Sequence, residues 1–130
     1  MIDTCVAFDV AADRREGHPG CWVDLDGPAP RKIGALGIRV ERGVSYHGIA
    51  LNIDPDLADF DLIDTCGMPG VASTSIGAEA GRPGSLGGTA TIERAGAIFA
   101  RAFAARIGAT LRGHGADQAR ETNQMLMAAR

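Results

Sequence analysis

The sequence predicts an α+β domain, a mostly antiparallel sheet with flanking helices. Three patterns carry that expectation. Two glycine- and alanine-rich runs, 31–40 and 45–53, each resolve into two faces at a period of two around a short turn, as antiparallel strands do. Leu57, Phe60 and Ile63 then recur at spacing three, a short helix with one apolar stripe. A longer helix is predicted from about 89–91 to Leu111, with Ile92, Ala95, Phe99, Ala102, Phe103 and Ile107 on its apolar face.

Composition sets the bounds. At 130 residues and 45% apolar content the chain is one domain with a core, expected over 1–113, followed by a mobile tail over 114–130. Aromatics are 5%, so Ile, Leu, Val and Ala must fill the core. Eighteen glycines are about twice the ordinary usage of roughly 7% and imply many turns and close backbone approaches. A net charge of −3 gives no basic field, which argues against nucleic acid as a partner. No apolar run approaches the ~20 residues that span a bilayer, and no basic, then apolar leader opens the chain. Cys5, Cys21 and Cys66 are odd in number and lack C-x-x-C spacing, so free thiols in a reducing cytoplasm are expected.

Taken in order, 2–10 reads as the end of an amphipathic helix with Cys5, Val6 and Phe8 apolar. Gly17-His18-Pro19-Gly20 is a turn signal, and 21–25 is a strand in a hairpin with the segment before it. After the turn 26–30, alternation along 31–40 places Lys32 at the head of the face carrying Leu36, Ile38 and Val40. A lysine there is partly desolvated, which favours the neutral amine or an anionic partner. Glu41-Arg42-Gly43 turns the chain into 45–53. One register opposes Leu36, Ile38 and Val40 to Ile49, His47 and Ser45; a one-residue slip gives the alternative. In either, Ala35-Leu36-Gly37 lies beside Gly48-Ile49-Ala50, two small-residue triplets that leave room against the backbone. Asp54 is the expected N-cap of the short helix, with Pro55 at its first position. A glycine- and proline-rich loop over 64–70, a Ser/Thr-rich stretch over 71–76 and a loop over 77–88 follow. Gly108 and Gly113 are expected to close the long helix.

Two residues stand out chemically. Lys32 is the only lysine among thirteen basic residues, and unlike arginine it can shift its pKa and move a proton. Cys66 sits in Thr65-Cys66-Gly67, where a flanking glycine leaves backbone N–H groups free to support an oxyanion. A free thiol near pKa 8.5 is only slightly ionised at neutral pH, so Cys66 needs a cation, which Lys32 could supply. Cys5 and Cys21 read as structural and His47 as a satisfied strand histidine. No ligand spacing points to zinc, no glycine loop points to phosphates, and no cofactor is expected.

The ordered motifs Arg31-Lys32-Ile33, Leu36-Gly37-Ile38-Arg39-Val40, Arg42-Gly43-Val44, Tyr46-His47-Gly48, Ala50-Leu51-Asn52, Pro55-Asp56-Leu57, Phe60, Cys66-Gly67 and Thr74-Ser75 resemble the lipoyl(octanoyl) transferase family. The resemblance covers about Trp22 to Arg82. It implies a partial biotin/lipoate protein ligase-like catalytic domain and an enzyme of lipoate biosynthesis. Such an enzyme moves an octanoyl group from acyl carrier protein to a lysine of lipoyl domains in 2-oxoacid dehydrogenase complexes and the glycine cleavage protein. It further implies Cys66 as the acyl-thioester residue and Lys32 as the residue that lowers its pKa. Ala35, Leu36, Gly37, Gly48, Ile49 and Ala50 would hold the acyl chain, in a ping-pong reaction.

Two departures qualify that expectation. Thr65 stands where the family has proline, which alters loop rigidity and not chemistry. The family's Arg-Gly-Gly…His half is unmatched, so the chain is expected to be a C-terminal portion, a non-catalytic remnant or binding module, or one piece of a split enzyme. Open sheet edges then predict poor stability alone. A lipoate or biotin ligase, which works through an adenylate without a catalytic cysteine, fits less well.

Overall fold

The computed structural model of the chain describes residues 1–63, 68, 70–81 and 88–112, with side chains at 88–91 excepted. Its elements run α1 (Ile2–Val6), β1 (Ala12–Arg15), β2 (His18–Val23), β3 (Arg31–Glu41), β4 (Val44–Leu51), a 3₁₀ helix (Leu57–Leu62), α2 (Ile76–Glu79) and α3 (Gly88–Ile107). The strands form one antiparallel meander in the order β1-β2-β3-β4, flanked by helices, as an α+β domain requires. The predicted tail over 114–130 lies outside the described residues.

The predicted first hairpin forms, but its turn is Glu16-Gly17, with Gly17 at φ +70. His18, Pro19 and Gly20 therefore belong to β2 and not to a turn. Pro19, which has no N–H to give to a ladder, sits beside the register irregularity between Asp13 and Arg15. The second hairpin takes the register that opposes Leu36 to Ile49, Ile38 to His47 and Val40 to Ser45. Its turn is the two residues Arg42 and Gly43, at φ +52 and +79. Paired positive φ values suit the right-handed twist of a two-residue hairpin, and they bring Glu41 and Val44 into the strands. β4 ends at Leu51, so Ile53 lies beyond it.

One face of the sheet builds the core. Cys21, Val23 and Ile33 meet Cys5, Phe8 and Val10 from the N-terminal segment, Ile76 of α2 and Ala95 of α3. The apolar stripe of the short helix, at spacing three, fits the three-residue turn of a 3₁₀ helix. Its cap is Asp56, whose carboxylate accepts from the Ala58 N–H at 3.0 Å, and not Asp54. The Asp54 side chain is instead turned against Gly77, so the cap falls to the next aspartate.

The long helix is shorter than predicted. Gly108 takes φ +66 and the Ala109 N–H donates to the Ala104 carbonyl at 2.9 Å, a C-terminal closure that ends α3 before Leu111. Its predicted apolar face is also rotated. Ala95 and Ala104 are buried, while Ile92, Phe103 and Ile107 point to solvent. On the exposed side of the contact between α3 and α1, Arg106 makes two bonds of 2.9 Å to Asp3.

Candidate functional site

Lys32 is 3% exposed, and its backbone is held on both sides. Toward β2 it pairs with Trp22. On its other side its N–H donates to the Ala72 carbonyl and its carbonyl accepts from the Thr74 N–H, both at 2.9 Å, forming a parallel bridge with Ser73. The register between β2 and β3 skips a residue, so that Cys21 faces Gly34 while Trp22 faces Lys32. This bulge resets the pleat. A side chain at Gly34 would meet Cys21 and Met1 on the core side, whereas Lys32 lies with Trp22 on the opposite side. Lys32 therefore does not head the face of Leu36, Ile38 and Val40. Simple alternation missed it because one unpaired residue inverts every later position.

On its own face Lys32 runs over Gly20, and its Nζ stands 5.5 Å from the centre of the Trp22 ring. A Cβ at Gly20 would meet the Gly34 carbonyl oxygen first and then Lys32 Cε at 2.9 Å, so glycine here lets β2 approach β3 closely and leaves room for the lysine stem. The Trp22 indole is buried, donates to the His18 carbonyl at 3.0 Å and meets the His18 ring edge-on. Neither Gly20 nor Trp22 was singled out by sequence. Gly20 read as part of a turn, and the contact with Lys32 exists only once β2 and β3 pair.

Ala35, Leu36 and Gly37 lie directly opposite Ala50, Ile49 and Gly48, so the two triplets are cross-strand neighbours. Side chains added at Gly37 or Gly48 would meet nothing within 4 Å, and Leu36 is 44% exposed. This part of the hairpin is open surface. His47 beside it takes φ +67 within β4, an unusual conformation for a residue with a Cβ.

The segment after Lys32's bridge is locked by polar contacts. Arg31 donates from Nε and Nη2 to the two carboxylate oxygens of Glu79 at 2.9 and 3.1 Å, and from Nη1 to Asp24 at 3.0 Å. Thr74 Oγ1 donates to Glu79 Oε1 at 2.6 Å, and Asn52 Nδ2 donates to the Thr74 carbonyl at 2.9 Å. Ser75 caps α2 by accepting from the Ala78 N–H. The Arg31 guanidinium, and after it the Thr74 hydroxyl, hold Glu79 below its ordinary value against the opposing effect of burial. Sequence marked Arg31, Thr74 and Ser75 only as motif letters and did not mark Glu79, because a 48-residue separation leaves no local signal.

Cys66 lies outside the described residues. Its described flanks are the 3₁₀ helix and the chain from Gly70, which bound a cavity of about 400 Å³ with Phe60, Ile63, Met68 and Val71 among its walls. The other two cysteines are buried in the core, as expected of structural thiols. A hydrogen bond with Cys21, and then burial, push the Cys5 thiol far up. Among the described residues no group of three His, Cys, Asp or Glu could hold a metal ion, and no helix is long and apolar enough to cross a membrane.

Comparison with known proteins matches residues 1–104 to the lipoyl protein ligase A/B catalytic domain. Among similar proteins, an octanoyltransferase of Salinispora tropica is 51% identical over 85 residues, covering 64% of this chain and 39% of the relative. One of Acidiphilium cryptum is 44% identical over 103 residues, covering 79% and 42%. One of Rhodospirillum rubrum is 38% identical over 108 residues, covering 83% and 47%. The chain thus spans less than half the length of these relatives.

Proposed function

This chain belongs to the lipoyl protein ligase A/B catalytic domain family, and from that premise we propose that it carries the acyl-transfer portion of an octanoyltransferase of lipoate biosynthesis. The donor is octanoyl-acyl carrier protein. The acceptor is a lysine of lipoyl domains in 2-oxoacid dehydrogenase complexes and the glycine cleavage protein. The Cys66 thiolate attacks the octanoyl thioester carbon, and the carrier's thiolate leaves and takes a proton from the Lys32 ammonium, which becomes the neutral amine. The acceptor amine then attacks the acyl-Cys66 thioester, an amide forms, and Cys66 leaves as thiolate while the amine's proton passes to Lys32. Ala35-Leu36-Gly37 and Gly48-Ile49-Ala50 hold the acyl chain. No cofactor takes part. The buried free thiols of Cys5 and Cys21 fit a reducing cytoplasm.

The observation that supports this most is the setting of Lys32. It is nearly fully buried, its stem has a glycine passage, and its backbone is bonded to the segment that follows Cys66 in sequence. A cation held close to a thiol favours the ionised form, which is the form a nucleophilic cysteine needs. The test is incubation with octanoyl-acyl carrier protein, followed by site-resolved mass spectrometry. An octanoyl adduct on Cys66 that vanishes in Cys66→Ser is expected; an adduct on another residue, or none, would overturn the mechanism.

A second reading treats the chain as one piece of a two-chain enzyme. It is favoured by the relatives' greater length together with the exposure of Ile38 and Val40, at 62% and 67%. An adduct that forms only when the remaining portion of a relative is supplied distinguishes it from activity of this chain alone.

A further inference from the structure

We propose that the Arg31–Glu79–Thr74 clamp is the positioning device of Lys32, a role that rests on the acyltransferase reading above. The clamp closes a ring through the backbone. Lys32 follows Arg31 in β3, its carbonyl accepts from the Thr74 N–H, the Thr74 hydroxyl donates to Glu79, and Glu79 returns to Arg31 with two bonds. Two parallel N–H···O bonds from a guanidinium to a carboxylate fix angle as well as distance, which a single bond does not.

The ring's members are buried or half-buried, and Thr74 is only 2% exposed. The charged groups gathered there are Arg31, Glu79 and Asp24, the last on the outer side of the guanidinium at 3.0 Å. The same limb of chain is held again from β4's end. Asn52 binds the Thr74 carbonyl and accepts from the Ile76 N–H, and the Ile53 carbonyl accepts from Gly77. The segment 72–74 therefore cannot slide along β3 without breaking the clamp, and a slide would carry Lys32's backbone partners with it. The distance dependence of a charge pair at close range makes such a shift costly to any thiolate that Lys32 stabilises.

Two readouts test the clamp in the full chain. One is the emission of Trp22, the single tryptophan, whose ring is 5.5 Å from Lys32 Nζ. The other is the pH dependence of Cys66 alkylation by iodoacetamide, followed by peptide mass spectrometry. Lys32→Met sets the reference, slowing alkylation at pH 7 by about 10- to 100-fold with recovery at alkaline pH. Thr74→Val and Glu79→Gln are expected to shift both readouts in the same sense, with alkylation at pH 7 slowed by about 3- to 10-fold. Thr74→Ser, which keeps the hydroxyl, should behave as wild type. A Thr74→Val variant that melts lower but keeps the wild-type emission and pH profile would overturn the positioning role and leave the acyltransferase reading standing. A Lys32→Met variant with an unchanged pH profile would overturn both.

Discussion

The setting of Lys32 depends on a neighbour that has no side chain. Gly20 stands at φ +131, and a Cβ there would run into the Gly34 carbonyl of β3 and crowd Lys32 Cε at 2.9 Å, so Gly20→Ala must strain the backbone, push β2 from β3 and disturb the lysine. We expect a loss of about 2 kcal/mol in stability, checked by denaturant unfolding. Acyl transfer should fall further than that loss explains. That Lys32 is the single lysine among arginines was legible in the sequence as a compositional fact. Its face was not. A bulge between β2 and β3 cannot be read from β3 alone, and the two strands are separated by the turn that hides their pairing. Cys66 was legible only as a thiol in a glycine-flanked loop; nothing described in the structure adds to that.

Elements show the same division. The β3–β4 register was narrowed to two choices by the sequence patterns, and the turn decided between them. Arg42 occupies a left-handed conformation that asparagine or glycine tolerates better. Arg42→Asn should therefore raise stability by about 0.5 kcal/mol, measured by thermal or denaturant melts, without touching the triplets at 35–37 and 48–50. The tie between β3 and α2 carries a pH signature. Glu79 is held below its ordinary value of 4.5, so the carboxylate contributes stability above that pH and loses it as the pH falls through the lower folded value. Glu79→Gln should remove this part of the acid limb in a melt series below about pH 4.5. An unchanged acid limb would show that Arg31 does not stabilise the folded form through Glu79. The helix α3 shows why element existence is easier to read than orientation. Its period was correct, but the stripe that faces inward is the one carrying the small residues Ala95 and Ala104.

At the scale of the molecule, the core occupies one end of the sheet while the far half of the β3–β4 hairpin and the outer stripe of α3 carry apolar residues to solvent. Among the described residues β4 is an edge strand of the four-stranded sheet, a feature that invites pairing with further chain. The isolated chain should accordingly melt broadly at low temperature and bind a hydrophobic dye before melting, whereas a sharp transition at high temperature would contradict this. The central claim is that Cys66 carries the acyl group between two partners, and time-resolved transfer tests it most directly. With the octanoyl adduct formed and excess donor removed, addition of an unmodified lipoyl domain should discharge Cys66 at the rate at which octanoyl amide appears on the acceptor lysine. An adduct that persists beside the acceptor, or an amide that forms equally well with Cys66→Ser, would contradict it.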